Sequence, residues 1–451
     1  MTEGSRLGEV PSAFSLQPFP RIFMLERFFQ LHRHGTTVRT EITAGVTTFL
    51  TAAYIIFVNP AILAQAGMDK GALTTVTCLA AGLATLLIAL WANAPLMMAP
   101  GMGLNAFFTY TLVIGEGIPW QTALGVVFLS GIVFLLLTWI GVRERIMGAI
   151  PQSLRLATSV GIGLFIAFIG MQNLGMIVKS DAVLVSLGSF TPPVLLGLFG
   201  LLVAVLLEVR RIRGAILLAI LTTTAAGMIL GITPPPEGVV AVPPSIAPIA
   251  FQLDILDALR ISLWASIFSF MFVDLFDSLG TMLAVCREAG MAEKDGRIAN
   301  LPRMLNADAL ASVGGALLGT STTTTYIESA SGVSDGGRTG LTAVCTAILF
   351  LLAAFFTPLI SAVPPYATAP ALIVVGIFMM RGIGQIDFYN FEDGAPAFLT
   401  FVLMPLTYSI ATGLAFGFIS YVLIKLLTGK IRECEPFLLG AALLSLVSLA
   451  V

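Results

Sequence analysis

The segment GTSTTTTYIESASGVSDGG (Gly319–Gly337) lies between two apolar stretches, SVGGALL and LTAVCTAILFLLAAFF. Thr322–Thr325 are β-branched, and they therefore favour extended backbone over helix. In hydrocarbon, extended backbone leaves its N–H and C=O groups unpaired unless it is buried in protein or lines a polar cavity. The sequence predicts an extended piece that reaches the middle of a membrane, followed by a half-helix over YIESASG whose N-terminus points into a cavity.

The composition of the whole chain agrees with a membrane setting. Of its 451 residues, 57% are hydrophobic and 11% are charged, whereas a soluble domain carries about 25% charged residues. Its two histidines lie in the polar N-terminal segment, and a net charge of −2 without a basic block predicts no nucleic-acid partner. The widely spaced cysteines fit neither a metal site nor a disulfide framework; they are Cys78, Cys286, Cys345 and Cys434.

Apolar runs recur along the chain at about the 20-residue length that crosses ~30 Å of hydrocarbon as a helix. They predict an all-α polytopic membrane protein of about fourteen spans: 42–63, 72–92, 96–114, 121–141, 156–178, 193–208, 214–232, 257–285, 304–318, 321–336, 340–358, 366–383, 396–410 and 412–428. The apolar segment 436–451 is too brief to span comfortably. We expect it to lie at the interface or to pack against the bundle.

Basic residues orient these spans in the membrane. Of the 23 Lys and Arg residues, only Lys70, Lys179 and Arg260 fall outside the loops on one side. This asymmetry predicts a multi-pass protein of the cell membrane with a cytoplasmic N-terminal segment, residues 1–38. That segment lacks the apolar core and cleavage site of a signal peptide. The loop 233–256 is rich in proline, carries no Lys or Arg, and should face outside.

Seven spans in each half predict an inverted repeat, because a unit with an odd number of spans must insert its copy upside down. The third span opens with PLMMAPGMGLNAFF (Pro95–Phe108), and the third span of the second half opens with GTSTTTTYIESASG (Gly319–Gly332). Spans 3 and 10 are therefore both broken by short extended segments, which are able to pair as antiparallel strands. Paired interruptions at matching positions indicate a transporter binding site.

Three acids lie inside apolar spans. Glu328 is expected about one turn into the second half-helix and facing the cavity, because a charge in hydrocarbon is costly. Asp274 and Asp277 share one face of the eighth span at i, i+3. We expect Glu328 and Asp274 to contact the substrate and Asp277 to relay a proton, and we keep all three as candidates for proton coupling. The alternative is a structural acid paired with Ser or Thr hydroxyls.

Other residues near the interruptions are candidates for substrate contact. Asn105 offers donors and an acceptor to a heterocyclic base. It is also a candidate cap of the broken third span, and the two roles do not exclude each other. Gly103 lets the backbone approach a ligand closely, and Thr324 lies in the predicted extended segment. Phe272, or alternatively Phe107 or Phe268, is a candidate for stacking on a flat ligand. Asp308, in the ninth span, is interpreted as a structural residue near the cytoplasmic face.

The side chains at the two interruptions restrict the cargo. An inorganic anion would find acids there and no Arg, Lys or His to neutralise it. A metal cation usually requires several clustered oxygen ligands, and we predict no metal site. A neutral heterocycle with N–H donors and ring-nitrogen acceptors fits three acids and an amide best. Protonation of the acids would also provide coupling, so we expect the proton as coupling ion and no cofactor.

Four motifs resemble those of the AzgA-like purine permeases, within the wider nucleobase–ascorbate transporter family. They are TEITAGVTTFLTAAYIIFVNP (Thr40–Pro60), APGMGLNAFFTY (Ala99–Tyr110), FVDLFDSLGT (Phe272–Thr281) and GTSTTTTYIESASGV…GGRTGLTAV (Gly319–Val344). The resemblance covers nearly the whole chain. It implies proton-coupled uptake of adenine, guanine or hypoxanthine, with Asn105, Asp274 and Glu328 at the substrate and Asp277 as a second essential acid.

The same resemblance implies a division into moving parts. A core domain would comprise spans 1–4 (39–145) and 8–11 (257–358), and a gate domain spans 5–7 (146–232) and 12–14 (359–430). The apolar segment 431–451 would follow the last span. The core would move against the gate like an elevator, and the gate would carry a homodimer interface. Ser334-Asp335 departs from the small residues that are more usual in this family. The departure concerns a contact of a predicted cytoplasmic loop and not the binding site.

Two alternatives remain at this point. One is a carrier of another nucleobase, uracil or xanthine, or of a small anion on the same architecture. The other is a membrane-embedded aspartyl hydrolase that uses Asp274 and Asp277. Two acids three residues apart on one helix are poorly placed to flank a scissile bond, so we expect a carrier and not an enzyme.

Overall fold

The computed structural model describes residues 20–140, 149–293, 297–298 and 300–450. The predicted domain boundary at 145/146 and residues 1–19 of the N-terminal segment lie outside this part. Its α-helices are α1 (Pro20–Phe29), α2 (Val38–Ala52), α3 (Ile55–Leu63), α4 (Lys70–Ala92), α5 (Met102–Ala106), α6 (Trp120–Trp139), α7 (Gln152–Leu174), α8 (Pro192–Val209), α9 (Ala215–Ile229), α10 (Ile255–Ala258), α11 (Trp264–Glu288), α12 (Leu301–Leu318), α13 (Ser329–Ser334), α14 (Gly340–Ala353), α15 (Thr357–Ser361), α16 (Pro365–Met379), α17 (Phe391–Thr407), α18 (Ile410–Leu427) and α19 (Pro436–Ala450).

Short strands and tight helical turns complete the described part. The strands are β1 (Met98–Pro100), β2 (Ile177–Ser180), β3 (Leu184–Leu187) and β4 (Thr323–Thr325). A π-helix covers Phe107–Gly115. The 3₁₀ turns are Ala64–Ala66, Ile261–Leu263, Ala354–Phe356, Met380–Gln385 and Ile431–Glu433.

Nine helical segments within the described ranges are long and apolar enough to cross a membrane. Five further segments complete the fourteen predicted spans: α5 with its π-helix, α9, α12, β4 with α13, and α17. The predicted fold class, an all-α polytopic protein with a seven-plus-seven repeat, is confirmed. Helical crossing is the expected outcome for so apolar a chain, because a helix satisfies its own backbone hydrogen bonds in lipid.

Capping residues and left-handed glycines set several helix ends. Asp69 accepts a hydrogen bond from the N–H of Ala72 at the start of α4, at 2.7 Å. Ser409 does the same for the N–H of Thr412 at the start of α18, at 3.1 Å. Gly319, with φ +93°, ends α12 in the left-handed region that glycine adopts without strain. The chain therefore turns out of helix just before the threonine run.

The two interrupted spans meet as predicted. Strands β1 and β4 pair in antiparallel register, with Met98 opposite Thr325 and Pro100 opposite Thr323. All six strand residues are buried. This pair satisfies the facing backbone groups, and hydroxyls of Thr85, Ser278 and Ser312 bond groups on the outer edges. Peptide groups of the interruptions are therefore bonded within the protein, as a lipid environment requires.

One detail of the sequence prediction, the end of the fifth span, is wrong. The fifth span was extended to residue 178, but α7 ends at Leu174 because Gly175 adopts φ +80°. The chain then forms an antiparallel β2–β3 hairpin, in which Ile177 is opposite Leu187. Its mostly exposed strands show that IVKSDAVLVSL is an extended hairpin and not the end of a span.

The apolar C-terminal segment forms a helix that packs on the bundle. α19 contacts α18 and, to a smaller extent, α11. Its buried side chains include Leu438, Ala441 and Ala442. This packing agrees with the second of the two placements expected from the sequence.

The helices pack in two groups. The first consists of α2, α3, α4, α6, α11, α12, α13 and α14, together with the β1–β4 pair. The second consists of α7, α8, α9, α16, α17 and α18. Contacts between the groups are sparser and include α3 with α16, α5 with α7, and α11 with α18. The interrupted spans and the three acids also belong to the first group, and α5 of the third span is one of its contacts with the second.

Candidate functional site

Glu328 lies where β4 turns into α13. It is the N-cap residue of α13 and not one turn inside it, which corrects the position expected from the sequence. Its carboxylate does not cap its own helix. Instead, Oε1 accepts a hydrogen bond from the hydroxyl of Tyr54, at 2.5 Å. The side chain is half-buried, so one of its two oxygens is fixed from span 1 while the group remains partly accessible.

Asp277 joins Glu328 in what we call the open acid cluster, defined as Glu328, Asp277 and Tyr54. Asp277 lies on α11, is half-buried, and interacts electrostatically with Asp308 and, to a smaller extent, with Glu328. Tyr54 is only 1% exposed, yet its hydroxyl reaches the carboxylate. The cluster thus combines two acids from different spans with one phenol that is able to donate and to accept.

Asp274 lies in a second, fully buried group, the closed acid cluster, which consists of Asp274, Asp308, Ser278 and Ser312. The hydroxyl of Ser278 lies 3.3 Å from Asp274 Oδ1 and 2.8 Å from Asp308 Oδ1. The hydroxyl of Ser312 lies 3.0 Å from Asp274 Oδ2 and 3.1 Å from the carbonyl oxygen of Thr323 in β4. The sequence analysis gave, as an alternative to substrate contact, a structural acid paired with Ser or Thr hydroxyls. The surroundings of Asp274 agree with that alternative.

Asp308 was interpreted from the sequence as a structural residue near the cytoplasmic face, and the structure shows that its side chain is enclosed by the bundle. It is 0% exposed and belongs to the closed acid cluster. The N–H of Thr325 donates to Ser278 Oγ at 3.3 Å, which ties this cluster to β4. The closed acid cluster therefore connects α11, α12 and the extended part of span 10.

Asn105 is buried in a network in which two amides and Ser321 join spans 1, 3 and 10. Its Nδ2 donates to Asn59 Oδ1 at 2.5 Å, and its Oδ1 accepts from the hydroxyl of Ser321. Asn59 in turn donates to Thr77 Oγ1 at 2.7 Å. The helix α5 is capped by Gly101, so Asn105 is an interior residue of that helix and not its cap. The network cross-links spans 1, 3 and 10 beside the strand pair.

The other predicted contact residues lie in tightly packed surroundings. A Cβ on Gly103 would come 2.5 Å from Ile162 of α7, so glycine allows α5 to approach the second helix group. Thr324 is buried in β4 next to Gly101. Phe272 packs edge-to-face on Phe418 of α18, with 5.1 Å between ring centroids. Glu328 and Asp277 interact electrostatically, whereas Asp274 and Asn105 lie in buried hydrogen-bond networks. Gly103, Thr324 and Phe272 lie in packed contacts between neighbouring elements.

Sequence reasoning missed Tyr54 and the interior position of Asp308. Tyr54 is a polar-tipped aromatic residue in the apolar run TAAYIIFVNP, and an acid in the apolar ninth span is equally unusual. Both were visible as polar groups at membrane depth, which are costly unless paired. What the sequence did not supply was the partner, which lies 274 residues away in the case of Tyr54 and Glu328. Within the described ranges, no three His, Cys, Asp or Glu residues are grouped so as to hold a metal ion.

A polytopic helical fold with two interrupted spans, and with acids gathered where they meet, defines a membrane transport protein. Residues 39–416 match the Permease family. The chain belongs to this family, whose members are permeases rather than enzymes, and its resemblance to the AzgA-like purine permeases is confirmed. It is a multi-pass membrane protein.

Relatives match the chain over almost its full length. The adenine permease AdeP of Escherichia coli is 45% identical, over 94% of this chain and 96% of AdeP. The guanine/hypoxanthine permease PbuG of Bacillus subtilis is 46% identical, over 92% of this chain and 97% of PbuG. Among solved structures, the transmembrane domain of the cyanobacterial bicarbonate transporter BicA has a TM-score of 0.65 at 15% identity, with 83% of this chain and 96% of that chain covered. That likeness concerns the fold alone.

Proposed function

We propose that this protein is a secondary active transporter for the proton-coupled uptake of the purine nucleobases adenine, guanine and hypoxanthine. The observation that carries the proposal is the open acid cluster: Glu328 and Asp277, from two different spans, share a half-buried site beside the meeting point of the interrupted crossings. The purine cargo named for AdeP and PbuG, at 45% and 46% identity, supports the substrate class.

The chemistry of the cluster suits a neutral ring with N–H donors. An ionised carboxylate accepts hydrogen bonds only, and it forms stronger ones than a neutral acceptor does. Glu328 would accept from N–H groups of the base, while Asp277 would exchange the coupling proton. Asp274, Asn105, Thr324 and Gly103 would hold the interrupted backbone in place around the base, and Phe272 would pack at the border with the second helix group.

We also propose how the parts move. The first helix group would be a core domain (39–145 and 257–358), and the second a gate domain (146–232 and 359–430). Sparse packing between the groups supports an elevator-like displacement of the core, because few contacts would have to be exchanged. The gate would carry a homodimer interface. The N-terminus would be cytoplasmic and the loop 233–256 extracellular.

Uptake into proteoliposomes tests the function. The purified protein should accumulate labelled hypoxanthine, adenine or guanine only when the outside is more acidic than the lumen. Each unlabelled base, with uracil, xanthine and bicarbonate included, should then be tested as a competitor. Accumulation that purines do not compete, or that is independent of the proton gradient, would contradict the proposal. Uptake of uracil, xanthine or bicarbonate alone would establish the corresponding alternative carrier.

A further inference from the structure

Tyr54 stands at a junction within span 1. It is the N-cap residue of α3, directly after the break that separates α2 from α3. Its ring is enclosed, with 1% of the residue exposed. Its hydroxyl points across to span 10, where it bonds Glu328 Oε1. A buried tyrosine hydroxyl usually finds a hydrogen-bond partner. Here the partner is Glu328, the residue that would bind the purine in the proposed function.

The bond fixes more than one atom of Glu328. The carboxylate plane is determined by the side chain together with the Tyr54 contact at Oε1, so the direction of Oε2 is determined as well. Glu328 makes no capping bond to α13, and its carboxylate is oriented by Tyr54 together with the backbone N–H of Glu328 itself. Tyr54 is the partner that another span supplies. A carboxylate that is oriented in advance loses less freedom when it accepts the N–H of a ligand.

The other ionisable groups near Glu328 are mostly acids, so a side-chain donor such as Tyr54 is important for its carboxylate. Like-charged acids approach from two other elements, Asp277 from α11 and Glu208 from α8, and Asp308 acts on Asp277. Tyr326 lies two residues before Glu328 in the chain. Its hydroxyl donates to the carbonyl oxygen of Pro100 in β1, at 2.5 Å, and not to Glu328. Tyr54 is thus the group in this cluster that donates a side-chain hydrogen bond to Glu328.

We propose that Tyr54 is a positioning residue for purine recognition. Its O–H orients the ionised Glu328, directs Oε2 toward the N–H donors of the base, and favours the ionised, base-binding form of the acid. When Glu328 takes up a proton, the same hydroxyl is able to accept from the carboxylic acid, since a phenol is both donor and acceptor. This inference rests on the proposed function and deepens it, because it ties the protonation of Glu328 to affinity for the base.

The test is Tyr54→Phe, which keeps the ring and removes only the hydroxyl. Hypoxanthine binding by the purified protein should weaken about tenfold, as expected for one lost hydrogen bond to a charged group. The pH midpoint of binding should move to higher pH, because the ionised carboxylate has lost a donor. The maximal transport rate should change much less than the KM. The matched control is Tyr366→Phe, which removes a buried hydroxyl that lies 2.5 Å from Thr233 Oγ1 in the other helix group.

A second measurement does not depend on purines. Infrared difference spectra that are assigned with Glu328→Gln follow the protonation of Glu328 directly. In Tyr54→Phe this titration should shift to higher pH, whereas in Tyr366→Phe it should match the parent protein. An unchanged titration and unchanged purine affinity would overturn the role of Tyr54 and leave the proposed function intact. A shifted titration in a parent protein that binds no purine would support the contact and overturn the proposed function instead.

Discussion

The open and closed acid clusters use the same residue types and share helix α11, yet their surroundings differ. In the closed cluster, serine hydroxyls lie within hydrogen-bond distance of both oxygens of Asp274, and Asp308 is fully buried. In the open cluster, Tyr54 is the one side chain from another span described as bonding Glu328, at Oε1, and both acids are half-buried. A buried acid that protein donors already surround contributes chiefly to the architecture. An acid with accessible surface and one fixed oxygen is suited to a ligand.

The largest expected effect is that of Glu328→Gln. The amide replaces an acceptor oxygen by a donor and removes the charge, so purine binding should fall about a hundredfold. Equilibrium binding of labelled hypoxanthine measures this effect. Glu288→Gln, which changes an exposed glutamate at the end of α11, is the control and should bind normally. Undiminished binding by Glu328→Gln would remove this residue from the site.

Asp277→Asn should separate coupling from binding. One coupled proton accumulates a neutral substrate about tenfold per unit of pH gradient, because each unit corresponds to about 1.4 kcal/mol. The variant should lose this accumulation and equilibrate the base across the membrane, while its affinity changes little.

Parallel measurements of uptake with and without a pH gradient distinguish these effects. Asp181→Asn is the control, since Asp181 lies exposed at the β2–β3 hairpin. If Asp277→Asn still accumulated hypoxanthine about tenfold per pH unit, the proton relay would have to involve other residues.

Ser312→Ala tests the closed cluster. It removes the hydroxyl that lies 3.0 Å from Asp274 Oδ2 and 3.1 Å from the carbonyl oxygen of Thr323. The loss of a buried hydrogen bond costs about 0.5–3 kcal/mol, more when its partner is charged. The thermal unfolding temperature should therefore fall, while the KM for hypoxanthine stays close to that of the parent protein. Ser445→Ala removes a buried hydroxyl that bonds only the carbonyl of Ala441 in its own helix, and it should be nearly neutral. A raised KM at unchanged stability would place the closed cluster in substrate binding.

The smallest effect is expected at Asp335. This residue lies in the loop where Ser334-Asp335 departs from the small residues that are more usual in this family. Asp335 forms an ion pair with Arg213, between α8 and α9, and accepts from Thr47 of α2 at 2.6 Å. The contact thus bridges the two helix groups. Arg213 is 61% exposed, so the pair contributes at most about 1 kcal/mol.

Asp335→Asn should therefore leave stability nearly unchanged and alter the transport rate up to about fivefold, an effect that added salt reproduces in the parent protein. Asp257→Asn breaks an ion pair with Arg260 that is local to one segment, and it is the appropriate control. Equal salt sensitivity of the parent protein and Asp335→Asn would argue against a bridging role.

Much of the fold followed from local chemistry. The spans, the interruption at Thr322–Thr325 and the pairing of the interrupted segments depend on hydropathy, β-branching and the positions of Pro and Gly, which act over a few residues. The hairpin after Gly175 was missed because its strands are short and partly apolar, and in a chain this apolar they resemble the end of a span.

The sequence by itself determined that this chain enters a membrane, where its helices break, and which acids lie at membrane depth. These properties depend on the transfer of side chains and peptide groups from water to lipid, which each segment undergoes in its own right. Only the tertiary structure decided that Asp274 is enclosed by serines while Glu328 is held by Tyr54. The environment of an acid depends on the side chains that other spans bring to it, and those partners lie up to 274 residues away along the chain.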